Sequence, residues 1–330
     1  MSPRFAFAAL AALCGILFFV ALTAGLPGDA LHSAFRGLLG VADANVLILR
    51  EIRLPRASLA LLIGAGLGVS GAALQALLRN PLAEPGVLGI SAGAALGAVI
   101  VFYSGLSLHF GLALPLGGLA GAVLVTGTLY VLARREISTV GLILAGVAIN
   151  SFAGACVALA LNLAPNPYAA YEISFWLMGS VTDRSLVHML LVAPFILAGI
   201  GVLIRESSRL EPLVLGEETA ASLGVDLQRL RRRLIIGTAL AVGPGVAIAG
   251  TIAFVGMLVP HALRPWVSHA PRVLLPASAL GGAALTLAAD LLVRVPFAQN
   301  ELKLGVITGL LGAPLFLVVA LRLPARGALS

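Results

Sequence analysis

The chain has little charge and almost no lysine. Only 11% of its 330 residues are Asp, Glu, Lys or Arg, whereas a soluble domain carries about 25%. Lys303 is the only lysine, and no glycine precedes it. The Gly-Lys pair of a phosphate-binding P-loop is therefore missing. This composition excludes an ordinary soluble domain, and the chain does not hydrolyse ATP through a P-loop.

Residues that carry chemistry are also scarce. Cys14 and Cys156 lie inside apolar runs, where a buried core position is more usual than a disulfide or a metal pair. The five histidines form no i, i+4 pair, so we expect no metal site and no cofactor. No Ser/His/Asp set stands out, and the basic residues are not interleaved with aromatics that could stack on bases. We therefore expect that the chain is not an enzyme and has no catalytic residues. We also expect that it does not bind nucleic acid.

Long apolar runs make up most of the chain, which is 60% hydrophobic with a mean hydropathy of +1.06. A helix needs about 20 apolar residues to cross a bilayer. The uncharged runs of that length are Phe5–Gly25, Ala57–Leu78, Val87–Leu108, Phe110–Ala133, Ile137–Pro165, Ser185–Ile204 and Leu234–Pro260. Shorter runs follow at Val273–Ala289 and Leu304–Leu321. The sequence predicts an all-α polytopic membrane protein with a single transmembrane domain over 1–330, because no gap would hold a second domain.

The number of spans is ambiguous from hydropathy alone. Nine runs are visible, but Leu234–Pro260 is long and is interrupted by Gly243-Pro244-Gly245. A break at that tripeptide would make ten helices. Phe5–Gly25 resembles both a signal peptide and a first membrane span, and its length favours the span.

The arginines indicate the orientation. The larger group, which includes Arg134, Arg135 and Arg231–Arg233, falls in alternate gaps between the runs. The positive-inside rule places this group in the cytoplasm. We therefore expect an inner-membrane, multi-pass protein with both termini cytoplasmic and a cytoplasmic loop over about 205–233.

That loop contains the signal for a short helix at Glu217–Gly224. Glu217 and Glu218 would occupy its first turn, where acids suit the helix dipole, and Gly224 provides a stop. Spacing alone leaves two interpretations equally open. The segment is either a solvated loop helix or a lever that docks into a cytoplasmic partner.

Several charged residues fall on the opposite, outer side. Arg50, Arg53 and Arg56 follow one another at intervals of three, against the positive-inside trend. They act either as interface anchors or as a site for an anion or a partner's carboxylate. Asp290 and Arg294 are i, i+4 and can form a pair.

A break also occurs between the second and third runs, in the stretch NPLAEPGVLGISAG from Asn80 to Gly93. Pro81 and Pro85 cannot continue a helical hydrogen-bond ladder. We expect a turn at the cytoplasmic end, with Glu84 facing that side and not a proton path, or simply solvating a loop.

Taken together, these motifs resemble the FecCD/BtuC-type permeases of ABC importers for ferric siderophores, haem or cobalamin. The matching stretches cover nearly the whole chain in the family's order. They are REIRLPR (50–56), SGAALQALLRNPLAEPGVLGISAGA (70–94), STVGLILAGVA (138–148), FWLMGS (175–180), LVLGEETAASLGV (213–225), GTIAFVGMLVPHALR (250–264), LAADLLVR (287–294) and GLLGAPLF (309–316).

The resemblance implies ten transmembrane helices and a dimer of two permease subunits, here a homodimer. ABC ATPase subunits would bind below and a periplasmic substrate-binding protein above. The coupling residues it implies are Leu215, Gly216, Glu217, Glu218, Ala221, Leu223 and Gly224. It also implies binding-protein docking by Arg53, Arg56 and Arg294, a cytoplasmic gate at Ser138 and Thr139, and path-lining helices at about 141–165 and 305–321.

The sequence departs from the family pattern at one position, and the resemblance leaves several cargoes open. The family usually has proline where this chain has Lys303, which we expect to add a charge facing outward. A ferric chelate is the first cargo expected, with haem or cobalamin as alternatives and an oxyanion as a remote one. A proton-coupled secondary transporter would need buried acids in the spans, and Asp290 is the clear candidate.

Overall fold

The computed structural model describes residues 3–24, 44–135, 138–164, 166–294 and 302–322. The α-helices are α1 (Pro3–Thr23), α2 (Leu54–Leu77), α3 (Ile90–Tyr103), α4 (Ala113–Arg134), α5 (Thr139–Asn162), α6 (Pro167–Leu177), α7 (Leu186–Leu210), α8 (Glu217–Ser222), α9 (Leu227–Ala249), α10 (Val255–Leu263), α11 (Pro271–Arg294) and α12 (Leu304–Arg322). A short helix, Ala44–Ile48, and a π-helical turn, Leu49–Arg53, lead directly into α2. Single 3₁₀ turns lie at Pro85–Leu88, Leu106–Leu108 and Pro212–Leu215.

Seven helices of the described residues are long and apolar enough to cross a membrane: α1, α2 with its lead-in, α4, α5, α7, α9 and α11. The apolar helices α3 and α12 are shorter, and α10 has 9 residues. These ten segments correspond to the ten helices that the family resemblance implies, and the predicted fold class is confirmed. The sequence predicts that both termini are cytoplasmic, and the terminal residues 1–2 and 323–330 lie outside the described residues.

The long run Leu234–Pro260 is split, but not where the sequence indicates. Helix α9 continues through Gly243-Pro244-Gly245 and ends at Ala249. The two glycines serve packing instead, because Ala122 lies against Gly243 and Ile63 against Gly245. The break follows at Gly250, whose φ of 72° suits glycine.

Helix α2 lies at the centre of the fold, packed against α7, α9, α10 and α11. Its glycines permit this. A Cβ on Gly64 or Gly68 would overlap the backbone of α11 at Gly282 and Ser278, and one on Gly71 would overlap Gly256 of α10. Small residues of this kind let membrane helices approach closely.

Gly64 and Gly68 form a Gly-x-x-x-Gly pattern, and a second such pattern, Gly117 and Gly121, packs in the same way. Gly117 and Gly121 of α4 meet the backbone of α3 at Gly97 and Gly93. Both Gly-x-x-x-Gly patterns, which are weak indications by themselves, thus mark real helix contacts in this fold.

Candidate functional site

The loop between α7 and α9 forms a short helix with glycine at each end. Helix α8 spans Glu217–Ser222, as the sequence predicts. Gly216 before it has a φ of 111°, and Gly224 after it has a φ of 86°. Both values lie in the region that favours glycine. The sharp turns at both ends make α8 a separate, projecting element.

The two sides of α8 differ in character. Ala220 is fully buried and faces the rest of the protein. On the other side, Val214, Leu215 and Leu223 are 64%, 67% and 62% exposed. Glu218 and Ala221 are exposed as well. Apolar side chains that stand in a charged loop outside the long helices form a surface suited to a protein partner.

Glu217 is partly exposed, and residues of two other helices hold its carboxylate. The Thr139 hydroxyl at the start of α5 donates to Oε1 over 2.6 Å. Nη2 of Arg231 on α9 donates to Oε2 over 2.7 Å. The Thr139 hydrogen bond lowers the pKa of Glu217, and Arg231 lowers that pKa further against the opposing effect of partial burial. The carboxylate is therefore ionised at neutral pH.

Ser138 and Thr139, the predicted gate residues, share the first turn of α5. Ser138 is the N-cap, and its Oγ accepts from the Gly141 N–H over 3.1 Å. Thr139 carries the bond to Glu217. The structure thus brings the predicted gate pair next to the predicted coupling helix, which the sequence treats as separate sites. No spacing rule joins residues 78 positions apart.

The three arginines predicted to lie on the outer side also converge. Asp290 is 1% exposed and pairs with both Arg56, at 2.9 Å, and Arg294, at 3.3 Å. The predicted pair of Asp290 and Arg294 is confirmed, whereas the stronger pair with Arg56 was missed. Arg294 also donates to the Ala21 carbonyl and Arg53 to those of Leu22 and Ala24. The cluster fastens the end of α1 to α2 and α11.

Lys303 does not add an outward charge, so that expectation is wrong. Lys303 is 7% exposed, and its Nζ lies 3.4 Å from the centroid of the Phe175 ring. Phe175 in turn stacks on Tyr171, with centroids 5.5 Å apart. The ammonium is attracted to the ring face, and the contact joins α6 to the start of α12. Glu301, two positions earlier, lies outside the described residues.

The stretch after α2 forms the predicted turn, but Glu84 lies deeper than expected. Its Oε2 accepts from the N–H of Phe254 over 3.2 Å, at the break between α9 and α10. Phe254 has a φ of 67°, which is uncommon outside glycine. At the same break the Thr251 hydroxyl donates to the Leu177 carbonyl over 2.6 Å. Irregular backbone inside a membrane protein is tolerated where such partners satisfy it.

A cavity of about 560 Å³ opens beside this break. Glu84, Ser91, Asn150 and Thr251 supply polar groups to a lining that is otherwise mostly apolar. Among the described residues, no group of three or more His, Cys, Asp or Glu side chains could hold a metal ion. The cavity can therefore admit a bulky molecule without coordinating a metal through the side chains that the structure describes.

Comparison with known proteins agrees with this arrangement. The model of the FecCD transport family matches residues 9–322. The uncharacterised ABC transporter permease protein YvrB of Bacillus subtilis is 40% identical over 297 residues, which is 88% of this chain and 84% of that protein. The vitamin B12 import system permease BtuC of Vibrio cholerae is 43% identical over 273 residues, 82% of each chain. The hemin transport system permease HmuU of Yersinia pestis is 38% identical over 299 residues, 89% of each.

Solved structures show the same fold. A metal-chelate type ABC transporter in an inward-facing conformation superposes with a TM-score of 0.85 at 30% identity, covering 97% of this chain and all of that one. PsaBC from Streptococcus pneumoniae gives 0.56 at 18% identity over 87% of this chain and 94% of that one, a likeness of fold alone. The family match spans nearly the whole chain, and the curated relatives are permeases over most of their length. The chain therefore belongs to the FecCD transport family and is an ABC transporter permease, a multi-pass membrane protein that transports rather than catalyses.

Proposed function

We propose that the chain forms the membrane path of an ATP-driven importer of a metal chelate and is powered by separate ATPase subunits bound at α8. One observation carries this proposal. Leu215 and Leu223, which flank helix α8, are exposed, and Glu217 of the helix accepts a hydrogen bond from Thr139 at the start of α5. A segment with these two features can both receive a partner and act on the transport path.

The exposed residues of the predicted coupling set would make the contact with the ATPase. Leu215, Glu218, Ala221 and Leu223 are exposed and fall within residues 215–223, in and next to α8. Burying two leucines of this size against a partner is worth about 1.5–3 kcal/mol each before the costs of association. Gly216 and Gly224 shape the ends of the surface.

The transport path would lie between two copies of the chain. Asn150 and Ser151 are exposed at the middle of α5, a helix of 24 residues. Polar side chains at the centre of a span face protein or water more often than lipid. Asn150 also lines the 560 Å³ cavity. We infer that α5, together with α12, faces a second copy across a wet path, with Ser138 and Thr139 at its cytoplasmic end.

The outer arginines would receive a substrate-binding protein. Arg53 is half-buried, and it donates hydrogen bonds to the main-chain carbonyls of Leu22 and Ala24. Carbonyls carry no net charge, so these bonds do not neutralise the guanidinium. Arg56 and Arg294 share Asp290, so the three arginines and one carboxylate keep a net positive charge. Arg53→Glu should weaken binding-protein affinity and reduce its dependence on salt. Arg229→Glu, at the opposite end, is the control.

The cargo we propose is a bulky metal chelate, with a tetrapyrrole ahead of a ferric siderophore. The sequence favoured a ferric siderophore, but two of the similar relatives are named as a vitamin B12 and a hemin permease. The mostly apolar cavity suits a large, rigid ligand without side-chain coordination of its metal. Competition between labelled cobalamin, hemin and a ferric siderophore for uptake by the reconstituted complex decides among the three.

A proton-coupled secondary transporter fits less well. Its candidate acid, Asp290, already forms ion pairs with Arg56 and Arg294, and these pairs give it a structural role in joining α2 to α11. The arginine distribution supports the inner membrane, cytoplasmic termini and a cytoplasmic loop at 205–233 within one permease domain.

Association with the ATPase is the direct test of the proposed function. The double variant Leu215→Asp/Leu223→Asp should lose copurification of the cognate ATPase while it still inserts in the membrane. Leu106→Asp replaces a leucine that is 52% exposed between α3 and α4, and it should retain the ATPase. Equal ATPase recovery from the double variant and the wild type would contradict the assignment of α8.

A further inference from the structure

Glu217 is less suited to docking than Glu218, because its carboxylate is engaged within the chain although the side chain is 39% exposed. Both of its oxygens are occupied within the chain. Oε1 accepts from Thr139 and Oε2 from Arg231. The neighbouring Glu218 is exposed, and it is the acid that a cytoplasmic partner can reach.

The bond to Thr139 joins two elements that the main chain keeps far apart. Helix α8 lies in the loop between α7 and α9, whereas Thr139 is the first residue of α5. Among the side-chain hydrogen bonds of the described residues, this is the one that connects α8 to α5. At 2.6 Å, with a charged acceptor, it belongs to the strong class of hydrogen bonds.

The main chain around α8 can follow a displacement of the helix. Gly216 and Gly224, at its two ends, have φ values of 111° and 86°, and glycine has the widest choice of backbone angles. The Glu217–Thr139 bond therefore provides a direct side-chain connection that moves with α8. Arg231 is 10% exposed, and it fixes the second oxygen and the orientation of the carboxylate.

The first turn of α5 is a suitable receiver for this motion. Ser138 caps that turn through Gly141, and Thr139 is the next residue. A pull on the Thr139 hydroxyl therefore acts on the N-terminal turn of a helix that lines the central cavity.

We propose that the Thr139–Glu217–Arg231 bridge transmits movement of the ATPase-bound helix α8 to the cytoplasmic end of α5 and so opens or closes the gate. This inference rests on the proposed function. It assigns Glu217 and Thr139 as positioning residues that act through the gate and not through ATPase affinity.

The test uses the hydroxyl of Thr139 in the full complex, with its cognate ATPase and binding protein in proteoliposomes. Thr139→Val removes the hydroxyl at nearly constant shape, and Thr139→Ser retains it. Thr128→Val is the matched control, because the Thr128 hydroxyl donates only to Leu124 of its own helix. ATPase affinity, ATP hydrolysis and uptake are measured separately. Crosslinking of Ser138→Cys between two copies, in a background without Cys14 and Cys156, is recorded with and without ATP.

We expect Thr139→Val to reduce uptake per ATP hydrolysed about tenfold, the factor that corresponds to about 1.4 kcal/mol. ATPase affinity should be unchanged, and the effect of ATP on the Ser138→Cys crosslink should be lost. Thr139→Ser and Thr128→Val should behave as the wild type. The proposal is overturned if Thr139→Val couples normally, if Thr139→Ser fails equally, or if ATPase affinity falls in parallel with uptake. Failure of the wild type to bind any ATPase would overturn the proposed function itself, which distinguishes the two failures.

Discussion

Arg56 and Asp290 lie 234 positions apart in the sequence, yet their side chains form a two-pronged ion pair between α2 and α11. Nε of Arg56 is 2.9 Å from Oδ1 and 3.1 Å from Oδ2 of Asp290, and Nη2 is 2.9 Å from Oδ1. Because the carboxylate is 1% exposed, it is shielded from water. The pair holds the start of α2 to the end of α11.

Asp290→Asn should therefore be strongly destabilising, because it leaves Arg56 and Arg294 without their carboxylate. Removing one partner of a buried pair costs about 3–5 kcal/mol. Thermal unfolding in detergent measures the loss. The control is Arg50→Gln, which breaks the pair of Arg50 with Glu51, whose side chains are 71% and 47% exposed. Exposed pairs contribute about 0–1 kcal/mol. Equal decreases in melting temperature in the two variants would contradict the expected difference between the buried pair and the exposed pair.

Glu84 should be replaceable by glutamine but not by alanine. Its structural task is to accept the Phe254 N–H, and a glutamine carbonyl can do the same. Glu84→Ala leaves that N–H without its partner, at about 1–3 kcal/mol. Hydrogen exchange of the peptide that covers 250–256 should then be faster in Glu84→Ala and close to wild type in Glu84→Gln. Unchanged exchange in the alanine variant would show that the bond does not hold the break.

Lys303 and Phe175 should be energetically coupled. Cation–π contacts contribute about 0.5–2 kcal/mol, and a double-mutant cycle isolates this pair from the other interactions of Lys303. The cycle compares Lys303→Met, Phe175→Leu and the double variant by thermal unfolding, and Lys303→Arg should keep most of the coupling. An interaction energy of zero would indicate that the ammonium and the ring are merely adjacent.

The stabilising effect of Glu217 should persist at neutral pH and disappear in acid. Its pKa is lowered below the ordinary 4.5 by the Thr139 hydrogen bond and then by Arg231. A lowered pKa means that the stabilisation is fully present above the ordinary value and is lost as pH falls through the lowered one. The difference in melting temperature between the wild type and Glu217→Gln, measured from pH 8 to pH 3, should be constant down to the ordinary pKa and then decrease. The carboxylate is 39% exposed, so the difference should be small. A transition near pH 7 would contradict the described contacts.

Much of the fold could be predicted from hydropathy, because membrane spans must satisfy their backbone within continuous apolar helices. The apolar runs indicated α1, α5 and α11 directly. The position of the break after α9 could not be predicted in this way. Gly243-Pro244-Gly245 has the composition of a break, but it is buried in contact with Ala122 and Ile63, and packing determines that the helix continues.

The site was predictable where its partners are close in sequence. The i, i+4 spacing identified Asp290 and Arg294, and the Glu-Glu start with a glycine stop identified α8. The bonds from Arg56 to Asp290, Thr139 to Glu217 and Glu84 to Phe254 join residues between 78 and 234 positions apart. Such pairs depend on tertiary packing and leave no periodicity in a single sequence. The charge of Lys303 suggested exposure, but the aromatic face of Phe175 provides a buried alternative.

The energy source for uptake tests the central claim most directly. Proteoliposomes would contain the chain, its cognate ATPase and its binding protein, with a labelled cobalamin or hemin offered as cargo. The account predicts that accumulation requires ATP, continues when the proton gradient is dissipated, and is abolished by Leu215→Asp/Leu223→Asp. Accumulation that follows an imposed proton gradient without ATP, and that the double variant leaves intact, would contradict it.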